Sequence, residues 1–589
     1  MRGAIISKTT SDILIDALSQ WGVKIIFGIP GDGINGVMEA IRKHKDIKFI
    51  LTRHEQAAAF MACAYSKYTQ EIGVCLATTG PGATNLLTGL YDAKCDNVPV
   101  LAITGSTYSD LIGSNYQQDV DVLALFSDVS EYNNRINKPE HTKMVTDIAC
   151  RTAISRKGVS HISIPIDVQY EEIKNNYSQH NTKNHTTHYK TLPSIAPTKV
   201  IKEASNLLNS KKKIVILVGQ GALQAKEEIE HLARLLQAPV VKALLGKAVL
   251  PDDSEFSLGG LGMLGTEPAS KAMSTADLLL MIGTSFPYHE YLPKPGTVLG
   301  IQIDINSDKI GLRYPVDLGL VGDSKSILQL LLPEIIQKQD NSFLAELQQD
   351  MKKWKQTLSI RSSGKSNPIK PQAFTSLLSQ HLNSDAIISV DSGTNTVWAA
   401  RYLNMRDDMK FSVSGTLSSM ACALPYSIAA QIAFPKRQSI AFVGDGGLGM
   451  LMGDFSTAVK YKLPIKVFVI KNSILGMIRW EQIAFLGNPE HGVEFAPIDY
   501  AKFADACGGK GFTIKKYNEM HKTIKDALEF PGPVIVDVYV DPFEPPIPPN
   551  VKLTYLQNIV KSFVKGQPYA TKIAKTMINN KLKEAIKKI

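Results

Sequence analysis

One carboxylate–amide pair carries the clearest chemistry in this sequence. Val443-Gly444-Asp445-Gly446-Gly447 closes one hydrophobic run, and Lys471-Asn472-Ser473 closes the next. An Asp and an Asn placed in this way can hold one metal ion together with a diphosphate. Gly446 and Gly447 let backbone N–H groups approach phosphate oxygens, and a helix read over about 449–461 points its amino end at them. Ligation wholly by oxygen, shared with a diphosphate, suits Mg²⁺ better than zinc. Gly-Asp-Gly alone is an ordinary turn; its Asn partner and the strand–helix–strand setting make it a candidate metal site.

The elements that must position this pair follow from hydrophobic pattern. Residues 439–443 and 465–470 read as strands; parallel and joined by a helix, they set Asp445 beside Asn472 at their carboxyl ends. The same alternation recurs at 24–28, 48–51, 73–78 and 98–104, and again at 214–218, 240–243, 278–282 and 298–303. The fold class is therefore α/β, with three doubly wound parallel-sheet domains at 1–185, 195–340 and 371–545, and a basic tail at 546–589. Between them, 171–190 reads as a solvated linker despite His180, His185 and His188, and 337–370 as a polar link. The Pro-rich stretch 542–549 cannot continue a sheet.

Composition bounds the function classes. The chain has 589 residues, 44% hydrophobic and 20% charged, enough for several full cores and unlike a disordered protein. No apolar run reaches the ~20 residues of a membrane span, and the first residues lack a signal-peptide core. Six cysteines without Cys-x-x-Cys spacing suggest neither zinc nor disulfides, which fits a reducing cytoplasm. The net charge of +10 gathers near the carboxyl end, so a solvated face or an anionic membrane explains it without nucleic acid.

The Gly-Asp-Gly…Asn pattern resembles the thiamine-diphosphate (ThDP) enzymes. The resemblance spans about 12–549 and is nearest to the pyruvate oxidase and quinone-dependent pyruvate dehydrogenase family of the acetolactate synthase-like superfamily. It implies ThDP-binding folds at both ends and a Rossmann-like central domain. It also implies that Asp445, Asn472 and the Ile474 carbonyl hold Mg²⁺. Phe27-Gly28-Ile29-Pro30-Gly31 and Arg53-His54-Glu55-Gln56-Ala57-Ala58-Ala59 are similar to the pyrimidine-binding domain. Glu55 is then the carboxyl that hydrogen-bonds the aminopyrimidine ring and promotes loss of the thiazolium C2 proton. The formal G-x-G-x-x-G at Gly31, Gly33 and Gly36, with Glu55 at the place of a ribose acid, also fits a dinucleotide fold. Pro30 and the helix opened by Glu55 count against that competing reading.

Further segments extend the resemblance. Thr78 to Asn85 matches the family's Gly-Pro-Gly loop. Gln118 would keep a substrate-facing amide, although Gln117 stands where the family has an aromatic residue. Gly393 and Asn395 suit phosphate approach, and Ser418, Ser419 and Met420 resemble the segment under the pyrimidine, with Met420 as the wedge that bends the cofactor. Gly446, Gly447 and Gly476 join the cofactor-binding set, and Glu481 takes the place of a substrate-side glutamate. In the middle block, Gly262, Gly283, Thr284, Ser285, Phe286, Pro287 and Asp304 resemble flavin-contacting positions.

Together these imply a ThDP-, Mg²⁺- and FAD-dependent enzyme that oxidatively decarboxylates pyruvate or a close 2-oxo acid, with quinone or oxygen as acceptor. Carboligation of the acetolactate synthase type, with a structural flavin, is the alternative; a non-catalytic nucleotide-binding protein is a more distant one. A homodimer or homotetramer is expected, with Glu55 of one copy facing Asp445 and Met420 of another. The expected location is cytoplasmic, including the membrane's inner face. In the tail, Ile573, Met577, Ile578, Leu582, Ala585, Ile586 and Ile589 form one helical stripe among lysines. That stripe suits either an anionic bilayer or packing on the protein itself.

Overall fold

The computed structural model describes residues 8–173 and 194–586. His180, His185, His188 and Ile589 lie outside these residues, as do the side chains of Leu582, Ala585 and Ile586. The described chain forms three six-stranded sheets. Central strands such as Ile214–Val218 and Leu278–Ile282 are buried along their whole length. A strand apolar on both faces needs helices on both sides, which is the doubly wound α/β arrangement. The paired strands run parallel, as between Ser439–Gly444 and Lys466–Lys471.

Counted within each domain, the first and third sheets share one strand order, 2-1-3-4-6-5. The central sheet runs 3-2-1-4-5-6, the dinucleotide-binding order. In such sheets ligands lie beyond the carboxyl ends of the strands, where the order reverses. That place falls between Asp391 and Gly444 in the third sheet, and between Gly219 and Gly283 in the central one.

The first and third domains share a core. Helix Glu55–Thr69 is alanine-rich and buried on nearly every side, and it packs against helix Ala423–Ala433. Small side chains let the two backbones approach. At the end of this seam the buried Lys67 ammonium donates to Asp96 at 2.7 Å, the Tyr426 hydroxyl at 2.8 Å and the Val413 carbonyl at 3.0 Å. Asp96 in turn accepts the N–H groups of Gly415 and Thr416, so the ion pair is fully hydrogen-bonded, as burial demands.

Two expectations change, and one alternative left open is decided for the described part of the tail. The helix after Gly444 begins at Asp445 itself and is broken into Asp445–Leu451, a 3₁₀ turn at Met452–Asp454 and Phe455–Lys460. The polar link contains helix Ser342–Ser362, held by buried Leu344, Leu347 and Trp354. The tail helix, Ala570–Ile586, lies on the protein: Ile573 is fully buried with Trp480 and Ile483, and Met577 packs beside them. Asn580 bonds Lys370 and Glu544, while Ile578 stays exposed.

Candidate active site

Register sets the metal pair. Gly444 pairs with Ile470 on adjacent strands, so Asp445 and Asn472 leave the sheet close together. Asp445 Oδ2 accepts the Ser473 N–H at 2.7 Å, and the Tyr500 hydroxyl donates to the Asp445 carbonyl at 2.6 Å. Burial pushes the Asp445 carboxyl up to about 6 against the pull of the Ser473 N–H. Asn472 Oδ1 accepts the Ile474 N–H at 3.1 Å. At Gly476 a β-carbon would stand 3.1 Å from Asn472 Nδ2 and from Thr394, so a side chain there would crowd the amide. Asp445, Asn472 and the Ile474 carbonyl offer oxygen only, and a buried carboxylate with a single strong backbone donor fits a hard divalent cation. The first turn Asp445-Gly446-Gly447 lies at a helix amino end, where N–H groups lack intrahelical partners and suit a diphosphate.

Asn395 serves the scaffold. Its Nδ2 donates to the Asp391 carbonyl at 2.6 Å and the Phe442 carbonyl at 3.4 Å, tying two strand ends together. Its Oδ1 faces Gly393 and Gly444. Asp391 is wholly buried, and its Oδ1 accepts from Ser392 N–H and Cys422 N–H. Close to Cys422 in the chain, Met420 sits between Ser418 and Ala421, whose φ values of 55° and 73° are left-handed. Backbone strain of this kind persists only where surroundings enforce it. Ser418 Oγ bonds the Gly415 carbonyl, and the Ser419 N–H bonds Ser414 Oγ.

A second cluster lies in the first domain. Glu55 opens its helix and accepts Asn85 Nδ2 at 3.0 Å; a β-carbon at Gly82 would stand 3.5 Å from its other oxygen. The backbone of Gly80 lies against Gln118, whose carbonyl accepts Thr79 Oγ1 at 3.1 Å. The loop at Gly31–Gly36 is closed by Gln169, which bonds the Gly33 carbonyl and the Gly36 N–H. A side chain from helix Ile166–Tyr170 of the same domain thus occupies the motif that raised the dinucleotide reading.

A cleft of about 1000 Å³ runs from the third domain into the central one. Gly393, Ser418, Met420, Met477, Ile478 and Glu481 form one end of it. Gly262, Gly283-Thr284-Ser285-Phe286-Pro287 and Asp304 line the other. Neither Glu55 nor Gln118 lines this cleft. Gln220 Oε1, buried on its wall, has no hydrogen-bond partner among the described residues. Asp304 accepts the Asn306 N–H and is raised by burial. Arg401 holds the Met263 and Leu264 carbonyls and so fixes the loop after Gly262.

Comparison with known proteins then decides the family. Residues 8–125 match the N-terminal thiamine pyrophosphate-binding domain of thiamine pyrophosphate enzymes, 201–331 the central domain and 391–538 the C-terminal binding domain. The chain belongs to the thiamine pyrophosphate enzyme family. Within this family it is 41% identical to YdaP of Bacillus subtilis, described as thiamine pyrophosphate-containing, over 95% of this chain and 97% of that protein. It is 34% identical to the "probable acetolactate synthase large subunit" of Methanocaldococcus jannaschii, over 94% and 95%. It is 29% identical to the pyruvate oxidase of Lactiplantibacillus plantarum, over 90% and 88%. The superfamily is the acetolactate synthase-like one.

As a family member, the enzyme carries both ThDP-binding domains on one chain. Its structure adds residues to which the sequence reading gave no role: Asn85 on Glu55, Tyr500 on Asp445, Asp391 on the Cys422 N–H and Gln220 in the cleft. Asn85 already stood at the end of the Gly-Pro-Gly segment. The other three act across long sequence separations and leave no local pattern.

Proposed function

We propose that the enzyme oxidatively decarboxylates pyruvate or a close 2-oxo acid, with FAD in the central domain and quinone or oxygen as acceptor. The cleft carries this reading: one continuous space links Met420 and Glu481 to the switch point of a sheet in dinucleotide-binding order. Bound ThDP would supply the carbon nucleophile and electron sink, and bound FAD the two-electron acceptor.

The chain's own residues do the rest. Asp445, Asn472 and the Ile474 carbonyl hold Mg²⁺, and the N–H groups around Gly446 and Gly447 hold the diphosphate. Met420 sets the angle between the cofactor's rings. Glu55, from a second copy, holds and moves a proton at the far nitrogen of the pyrimidine ring. Gln118, which comes with Glu55 from the second copy, and Glu481 orient the 2-oxo acid. Gly283 to Pro287, Gln220 and Asp304 hold the flavin. The working unit is then at least a dimer.

The same reading puts the enzyme in the cytoplasm, touching the membrane only peripherally. Among the described residues no helix is long and apolar enough to cross a membrane. With Ile573 and Met577 packed inward, lipid contact would fall to exposed Leu553, Leu556, Val560 and Val564 on one face of helix Leu553–Val564. A carboligase with structural flavin is the second reading, favoured by the likeness to an acetolactate synthase subunit. Spectra and products separate the two. Anaerobic pyruvate should bleach the flavin and yield acetate once an acceptor is added; an unbleached spectrum with an acetohydroxy acid as product would establish the carboligase.

A further inference from the structure

The turn that launches Glu55 is held by the other ThDP-binding domain of the same chain. Asp454 is 1% exposed, and its Oδ1 accepts the Arg53 N–H at 2.9 Å. Thr457 Oγ1 donates to the same oxygen at 3.0 Å, so the carboxylate has a fixed orientation. Arg53 Nε reaches Ser456 Oγ at 2.8 Å, and the Leu51 N–H reaches the Tyr461 hydroxyl at 2.8 Å. Residues 454–461 thus grip the chain between strand Lys48–Leu51 and helix Glu55–Thr69. From its own domain the turn is held at Thr52, whose N–H donates to the Gly28 carbonyl at 3.0 Å. Locally, His54 Nδ1 accepts the Gln56 N–H, and Thr52 Oγ1 donates to the His54 carbonyl; the Arg53 N–H is held from the other domain.

Arg53 stands one residue before the N-cap His54, so its N–H lies outside the helix ladder and needs a partner from elsewhere. A carboxylate near a helix start is also favoured by the helix dipole. Here the carboxylate arrives from outside the helix. It belongs to the segment that begins with Asp445, through Asp445–Leu451 and Met452–Asp454. Glu55 must meet a ring nitrogen at hydrogen-bond distance, and small displacements of such a group cost rate steeply.

We infer that Asp454 is a positioning residue for Glu55, fixing from the diphosphate-binding domain the turn on which that glutamate stands. The inference rests on the proton-transfer role proposed for Glu55. Its direct readout is exchange of the ThDP C2 proton in D₂O, followed by NMR after acid quench, with Mg²⁺ and ThDP saturating and no 2-oxo acid present. A second readout needs no cofactor: amide hydrogen exchange of residues 52–57 in the apo-protein.

Asp454→Ala should slow C2 exchange about tenfold, the scale of one charge-assisted hydrogen bond, and speed amide exchange across 52–57 by a similar factor. Asp454→Asn, still an acceptor but a neutral one, should slow C2 exchange about threefold. If the alanine variant does not fold, the asparagine variant decides alone. Normal C2 exchange at saturating cofactor in the folded variant, even with weakened ThDP binding, would overturn the inference and leave Asp454 a purely structural residue. Glu55→Gln is the control. If it leaves C2 exchange unchanged, the role given to Glu55 fails; if it slows exchange while both Asp454 variants behave as wild type, only the inference fails.

Discussion

Asp391 presses against the backbone of Gly447 so closely that a β-carbon at 447 would stand 2.0 Å from Asp391 Oδ2. The two residues join the segment that carries Met420 to the helix turn proposed to hold the diphosphate. Gly447→Ala must therefore push one of them away. We expect ThDP affinity to fall about 10²-fold, a loss of ~2.7 kcal/mol, with the apo-protein still folded. Isothermal titration with Mg²⁺ present checks this; unchanged affinity would show that the turn yields freely.

The same carboxyl makes apo stability depend on pH. Burial pushes Asp391 up to about 7 from an ordinary 3.8. Between those values the folded chain keeps a proton that the unfolded chain has released. Stability from this group is complete below the lower value and drains away as pH rises through the upper one. Asp391→Asn removes the slope. Its unfolding midpoint should change less than that of wild type from about pH 5 to about pH 8, and should lie higher at the alkaline end. Parallel curves for the two proteins would contradict the assignment.

Metal binding should show the opposite trend. Asp445, raised to about 6 without metal, must lose its proton to ligate. Affinity for Mg²⁺ with ThDP should weaken as pH falls below about 6, approaching tenfold per unit. Equal affinity at about pH 5 and about pH 7 would exclude Asp445 as a ligand whose protonation matters.

Arg479 is fully buried and forks onto Glu490, with Nη2 to Oε1 at 2.7 Å and Nε to the other oxygen. It also donates to the Pro542 carbonyl, so it anchors the helix that carries Met477 and Ile478 to the cleft. Glu490→Ala leaves the guanidinium buried without its counter-ion and should cost ~3–5 kcal/mol in urea unfolding. Adding Arg479→Met should recover much of that loss; no recovery would mean that the pair stabilises chiefly by packing.

The parts of this site that were legible in the sequence are those made by neighbours in the chain. Asp445 and Asn472 each follow a hydrophobic strand, and Asp445 stands among glycines, so strand order alone set them side by side. The helix start at Asp445 was missed because two glycines in a first turn oppose helix propensity, which phosphate-facing N–H groups need not obey. Helix Ser342–Ser362 hid behind lysines and glutamines, although Leu344, Leu347, Met351, Trp354 and Leu358 recur at helical spacing. The tail stripe was ambiguous for a physical reason: a face that fits lipid also fits a protein groove, and Ile559 together with Trp480 and Ile483, far away in sequence, forms the groove that Ile573 enters. The grip of Asp454 on Arg53 bridges 401 positions and has no local signature.

Ile573, near the carboxyl end of the chain, is enclosed by Trp480 and Ile483. Those two flank Glu481 on the cleft wall, so the last helix backs the chamber where the reaction is expected. A smaller side chain at Ile573 would therefore loosen the backing of Glu481 without touching the cleft itself.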